Sequence, residues 1–290
     1  MIKIWLKAFR LRTLPLATAS IVLGSFLAAA EHLFRSKVAI FCFLTATLLQ
    51  ILSNLANDYG DSIHGADSET RQGPSRITQS GKVSKKAMRF AIFIFIGLSL
   101  QVGYLLIRGE SWFFYVLGLA AIAAAIAYTV GPKPYGYVGF GDLFVLIFFG
   151  VVGVFGTYYL HTHTLNYLIL LPALSCGLFC AAVLNINNIR DIQSDKMAGK
   201  ITLAVRLGDK NARLYHWALL IFASCFALLY ILLNYRTPWQ FLFLITLPLV
   251  VQNGISIYRK FNAAEIDPHL KQMAITTLLF CFSFGIGILL

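Results

Sequence analysis

The chain has 290 residues, 58% of them hydrophobic and only 12% charged, with a formal net charge of +12. Soluble domains carry ~25% charged residues, so this chain has too little polar surface to cover a soluble fold of its size, and its composition excludes disorder, collagen and a disulfide scaffold. What remains is a polytopic membrane protein, read as one domain over residues 1–290, whose positive charge belongs either to nucleic acid or to a membrane.

A span needs about 20 mostly apolar residues. In chain order the candidates are 14–30, 38–57, 87–107, 112–130, 138–160, 165–189, 213–233, 238–258 and 272–290. None alternates with period two and all are too long for barrel strands, so the fold class is all-α with about nine transmembrane helices. Lys3, Lys7, Arg10 and Arg12 precede the first, and Ala28-Ala29-Ala30 ends it, much as in a signal peptide. Its length and the patterned Arg12-Thr-Leu-Pro15 entry favour a retained span.

Nine spans place alternate loops on opposite sides. Twenty of the 24 basic residues then share the side of the N-terminus, and only Arg35, Lys37, Arg108 and Arg236 lie across the bilayer. The positive-inside rule puts the N-terminus in the cytoplasm and the C-terminus outside. Ten of the twelve acids, all but Glu31 and Glu110, fall on that same side. Topology requires no carboxylates, so their clustering needs another cause. Two long polar connections on that side, at 58–86 and 190–212, start where a span ends and are the natural place for chemistry.

The first opens with Asn54, Asn57, Asp58 and Asp61, at i, i+3, i+4 and i+7, on one face if the second span continues helically. Asp67 follows. The second opens with Asn187, Asp191 and Asp195, at i, i+4 and i+8. Carboxylates one turn apart repel unless a cation lies between them, and at a membrane interface their ionised form is costlier still. A capped, solvated helix end would account for one such cluster but poorly for a matched pair. Oxygen-only donors suit a hard cation, and Mg2+ completes such a shell with substrate phosphate oxygens.

Basic residues follow each cluster: Arg71 and Arg76 after the first, Lys200 and Arg206 after the second. Both types bind phosphoryl oxygens. Lys85, Lys86 and Arg89 precede a span and read as anchors to anionic lipid. The acidic neighbours and the lack of interleaved aromatics argue against nucleic acid. Between the fourth and fifth spans, residues 128–142 are dense in glycine, proline and tyrosine. That composition means irregular backbone at the membrane face, either a tight turn with interfacial tyrosines or the wall of a polar cavity. Lys133 is a further candidate phosphate ligand. The five cysteines lie in apolar stretches and read as core residues, and His161 and His163 fall on the far side as loop residues.

Asn57-Asp58-xx-Asp61 and Asp191-xxx-Asp195 resemble the two Asp-rich motifs of the UbiA superfamily of intramembrane prenyltransferases. The stretches Arg12–Pro15, 57–67, 71–76, 127–142 and 187–208 look closest to its 1,4-dihydroxy-2-naphthoate polyprenyltransferase branch, which serves menaquinone synthesis. Gly65 stands where the wider superfamily often carries a further Asp, which puts a metal role for Asp67 in doubt. The resemblance implies nine helices around a central cavity capped by cytoplasmic loops. It implies transfer of a long polyprenyl chain from its diphosphate to 1,4-dihydroxy-2-naphthoate, with loss of CO2. In that reading Asp58, Asp61, Asp191 and Asp195, assisted by Asn54, Asn57 and Asn187, hold Mg2+. Arg71, Arg76, Lys133, Lys200 and Arg206 neutralise the leaving pyrophosphate, while Tyr128 faces the allylic cation. A related enzyme acting on 4-hydroxybenzoate is the nearest alternative. An ion-coupled transporter would place its charges near span midpoints, unlike these.

Overall fold

The computed structural model describes residues 2–64 and 77–290, and all regular structure among them is helical. A short helix α1 (Ile2–Ala8) and a 3-10 turn lead into α2 (Leu14–Ala30), which carries Pro15 in its first turn, where no amide hydrogen is needed. Helices α3 (Ser36–Ile63), α4 (Lys85–Ile107) and α5 (Trp112–Ala127) follow, then α6 (Gly141–Thr162) and α7 (Tyr167–Arg190). A short α8 (Ile192–Met197) precedes α9 (Leu203–Leu233), α10 (Pro238–Arg259) and α11 (Ala263–Leu289). Among the described residues eight helices are long and apolar enough to cross a membrane. The 16-residue α5 makes a ninth, short apolar helix.

Polar groups start the helices that leave the connections. Ser84, Thr202 and Asn262 each accept a backbone N–H of the following first turn, capping α4, α9 and α11. Two spans begin well before their apolar runs. Helix α9 starts at Leu203 rather than 213 and is interrupted at Gly208 (φ 76°), and α11 starts at Ala263 rather than 272. Helix α6 widens to π-type winding over Leu146–Gly156, which turns Phe148, Val152 and Gly153 onto one cavity wall.

Two large apolar cores hold the bundle, and a small third cluster joins Ile21, Cys42 and Leu160. One joins α2, α6, α7, α9, α10 and α11 through residues such as Leu23, Val154, Phe179, Ala223, Phe243 and Phe284. The other joins α1, α3, α4 and the flank of α5 through Leu52, Leu55 and Met88. Outward-facing Phe90, Phe93, Trp112, Tyr167 and Ile245 are exposed, as suits helices whose backbone polar groups are satisfied internally and whose surface meets lipid.

A cavity of about 620 Å³ opens between the cores, walled by α2 to α7. It follows α3 from Asn57 to Cys42, roughly 22 Å of helix. Asn57, Asn187, Lys200 and Tyr128 line one end, and Phe114, Leu106 and Leu160 line the other.

Candidate active site

Helix α3 continues unbroken to Ile63, so the first cluster shares one face as its spacing requires. The four side chains have different partners. Asn54 donates to the Phe9 carbonyl (2.9 Å) and to Thr13 Oγ1 (3.2 Å), fastening the N-terminal segment to α3. Asp58 accepts the backbone N–H groups of Ile77 (3.1 Å) and Thr78 (2.9 Å), which anchors the chain where it returns toward α4. Asp61 is fully buried, and its Oδ1 accepts the Tyr137 hydroxyl at 2.6 Å. Asn57 faces the cavity. Arg71, Arg76 and Asp67 lie outside the described residues.

The second cluster departs from a simple helical stack. Helix α7 ends at Arg190, and Asp191 adopts φ −98°, ψ 7°, a bridge-region backbone between α7 and α8. Asp195 still follows one turn on, its N–H donating to the Asp191 carbonyl at 2.8 Å. The Asp191 carboxylate accepts Arg190 Nε (2.8 Å) and Nη2 (2.7 Å) in a two-pronged pair, and Nη2 also reaches Asn187 Oδ1 at 2.8 Å. Asp195 Oδ1 lies 3.4 Å from Lys200 Nζ.

The glycine-rich segment joins the two clusters. Tyr137 donates to Asp61, and the Lys200 ammonium stands 5.6 Å above the centre of its ring. The Ile201 N–H donates to the Tyr137 carbonyl (2.9 Å), and Arg206 Nη2 donates to the Val138 carbonyl (2.9 Å). A continuous path therefore runs Asp61–Tyr137–Lys200–Asp195. The loop also grips α3 directly, since Thr129 Oγ1 donates to the Ala56 carbonyl (3.0 Å) and a Cβ at Gly60 would meet the Thr129 carbonyl at 2.5 Å. Gly136 allows Tyr128 to sit at the cavity rim, because a Cβ there would lie 2.8 Å from its ring. Tyr135 packs edge-on against Tyr128 at 5.3 Å and stacks on Phe144 at 4.0 Å. Burial pushes the Tyr135 phenol above its ordinary pKa, so it stays neutral.

Not every sequence candidate reaches the cavity. Lys133 is exposed on the loop, Arg206 is exposed and pinned to Val138, and Lys200 is buried at the cavity's polar end. Tyr137 had no signal beyond its place among glycines. His161 accepts the Arg35 N–H at the opposite end of α6.

Among the described residues no three His, Cys, Asp or Glu side chains lie close enough to hold a metal by themselves. The donors are nevertheless oxygen atoms gathered at two helix ends, and Asn57 and Asn187 of the same two clusters line one cavity. That set fits Mg2+, which keeps few protein ligands and takes the rest from phosphate and water. It does not fit an all-protein cage.

Residues 17–284 match the UbiA prenyltransferase family. Over all of this chain and 96% of its own length, the 1,4-dihydroxy-2-naphthoate octaprenyltransferase of Haemophilus influenzae is 44% identical. Among solved structures, a UbiA homolog from Aeropyrum pernix superposes with a TM-score of 0.68 at 17% identity, over 93% of this chain and 96% of its own. A UbiA homolog from Archaeoglobus fulgidus, solved with GPP and Mg2+, gives 0.61 at 15% identity over 99% of each chain. The likeness to these structures extends to the fold.

Proposed function

Because the chain belongs to the UbiA prenyltransferase family, we propose that it joins a polyprenyl chain from its diphosphate to 1,4-dihydroxy-2-naphthoate, with loss of the ring carboxylate as CO2. The protein is a multi-pass membrane prenyltransferase that takes a prenyl diphosphate. The acceptor follows from the 44% identical relative. The observation that carries the chemistry is the path Asp61–Tyr137–Lys200–Asp195, which ties both acidic motifs to the polar end of one apolar cavity.

Each residue then has a task. Asp58, Asp61, Asp191 and Asp195, with Asn57 beside them, offer oxygen ligands at the diphosphate end. Mg2+ bound there supplies the positive charge that helps the carbon–oxygen bond to the diphosphate ionise. Asn54 serves by fastening the N-terminal segment, and Asn187 by holding Arg190. Lys200 neutralises diphosphate oxygens at the polar end of the cavity, Arg206 and Lys133 add positive charge on the connections beside it, and the family resemblance gives Arg71 and Arg76 the same task. Tyr128 lines the cavity and offers an aromatic face to the allylic cation. The apolar walls keep water from that cation until the acceptor ring carbon attacks. The new carbon–carbon bond forms at the ring, and the carboxylate carbon departs as CO2.

The hydroxyl of Tyr137 positions Asp61, so Tyr137→Phe is expected to lower kcat/KM about tenfold, the equivalent of one hydrogen bond to a charged group. Wild-type kinetics in that variant would remove Tyr137 from the site. Membranes given a polyprenyl diphosphate and Mg2+ are expected to release CO2 and form a prenylated naphthoquinol from 1,4-dihydroxy-2-naphthoate. Product from 4-hydroxybenzoate alone would overturn the acceptor assignment. The distribution of basic residues supports a cytoplasmic position for the motif-bearing ends, with the C-terminus across the membrane. An alkaline phosphatase fused after Leu290 should therefore be active, and an inactive fusion would reverse the orientation.

A further inference from the structure

Arg190 is the hub of a network that the acidic motifs do not predict. Its side chain is fully buried. Nε and Nη2 hold Asp191, Nη2 also holds Asn187, and Nη1 donates to Oδ1 of Asp267 near the start of α11. Asp267 in turn accepts Arg12 Nη1 at 3.2 Å on both oxygens. One half-buried carboxylate thus joins the last span, the C-terminal end of α7 and the N-terminal turn before α2.

The arrangement sets a condition on metal binding. A buried guanidinium needs its charge offset by carboxylates, because no water reaches it. As the structure stands, Arg190 draws that compensation from Asp191 and Asp267. The oxygens of Asp191 cannot serve a two-pronged guanidinium and a divalent cation at full strength together. We propose that Asp267 is a positioning residue for the metal: it keeps the buried charge of Arg190 neutralised so that Asp191 can give its oxygens to the cation. The inference rests on the reading above that Asp191 is a metal ligand. Arg12 competes for the same carboxylate, so it limits how strongly Asp267 draws Arg190 away from Asp191.

The test is a titration of the solubilised full chain with Mn2+ in place of Mg2+, followed by electron paramagnetic resonance, with a prenyl thiodiphosphate present and no acceptor. No turnover enters the readout. Asp267→Asn is expected to raise the metal dissociation constant about tenfold, the usual scale for removing a partner behind a ligand. Glu265→Gln removes the same charge from an exposed position in the same helical turn and should match wild type. Arg12→Gln should not raise the constant, because Arg190 then has Asp267 to itself.

A wild-type constant in Asp267→Asn overturns the proposal. So does an equal rise in Glu265→Gln, which would reduce the effect to local charge, or in Arg12→Gln, which would make the network a structural clamp. Asp191→Asn separates the two claims. If it binds Mn2+ like wild type, the metal reading itself fails. If it loses Mn2+ while Asp267→Asn does not, only the present inference fails. Should Asp267→Asn accumulate too poorly to titrate, its melting temperature in intact membranes is compared with and without Mn2+ and the thiodiphosphate. A smaller shift than wild type supports the proposal, and an equal shift overturns it.

Discussion

Asp191→Asn is expected to reduce prenyl transfer in isolated membranes at least ~100-fold while the amount of protein in the membrane stays normal, since a metal ligand carries several kcal/mol of transition-state charge stabilisation. The amide keeps the shape of the side chain and one acceptor oxygen, so Arg190 retains that contact together with Asp267. What it loses is the negative charge that a divalent cation needs. Undiminished turnover would show that the second acidic motif is a helix terminus and nothing more.

Lys200→Met should act on both stability and donor binding. Lys200 is 3% exposed, with Asp195 on one side and the Tyr137 ring on the other. Removing one partner of a buried ion pair costs about 3–5 kcal/mol, because a buried charge loses its compensation. The variant is therefore expected to unfold at a visibly lower temperature in detergent and to show a raised KM for the prenyl diphosphate. A double-mutant cycle distinguishes these effects. Adding Asp195→Asn should recover much of the lost stability, since no uncompensated carboxylate remains, but it should not restore donor binding. A single variant with normal stability and normal KM would exclude Lys200 from the site.

The apolar runs located the spans because lipid demands long uninterrupted hydrophobic helices, and the shared face of Asn54 to Asp61 depended on the second span continuing helically, as α3 does to Ile63. Periodicity does not register tertiary contacts. Asp191 and Asp195 share helical spacing, yet the chain turns at Asp191, beside an Arg190 held by Asp267 from 77 residues away. The contact between Arg12 and Asp267 spans 255 residues, beyond any local signal. Lys133 and Lys200 each sit in a polar connection after a glycine, and only the tertiary structure tells them apart: Asp195 and the Tyr137 ring enclose Lys200, while Lys133 stands exposed. Charged residues early in α9 (Arg206, Asp209, Lys210, Arg213) and α11 (Glu265, Asp267, Lys271) hid the starts of these helices from a hydropathy reading. The π winding of α6 leaves no mark in a uniformly apolar segment.

The central claim is that two acidic helix ends, bridged by Tyr137 and Lys200, activate a prenyl diphosphate for attack by a naphthoate ring. The most direct measurement supplies membranes containing the protein with a polyprenyl diphosphate, Mg2+ and 1,4-dihydroxy-2-naphthoate labelled in its carboxylate, and counts labelled CO2 against pyrophosphate. Equal amounts of the two, formed only when Mg2+ and both substrates are present and absent in Asp191→Asn, are the expected result. Pyrophosphate without CO2, CO2 without the prenyl donor, or neither from abundant wild-type protein would contradict the account.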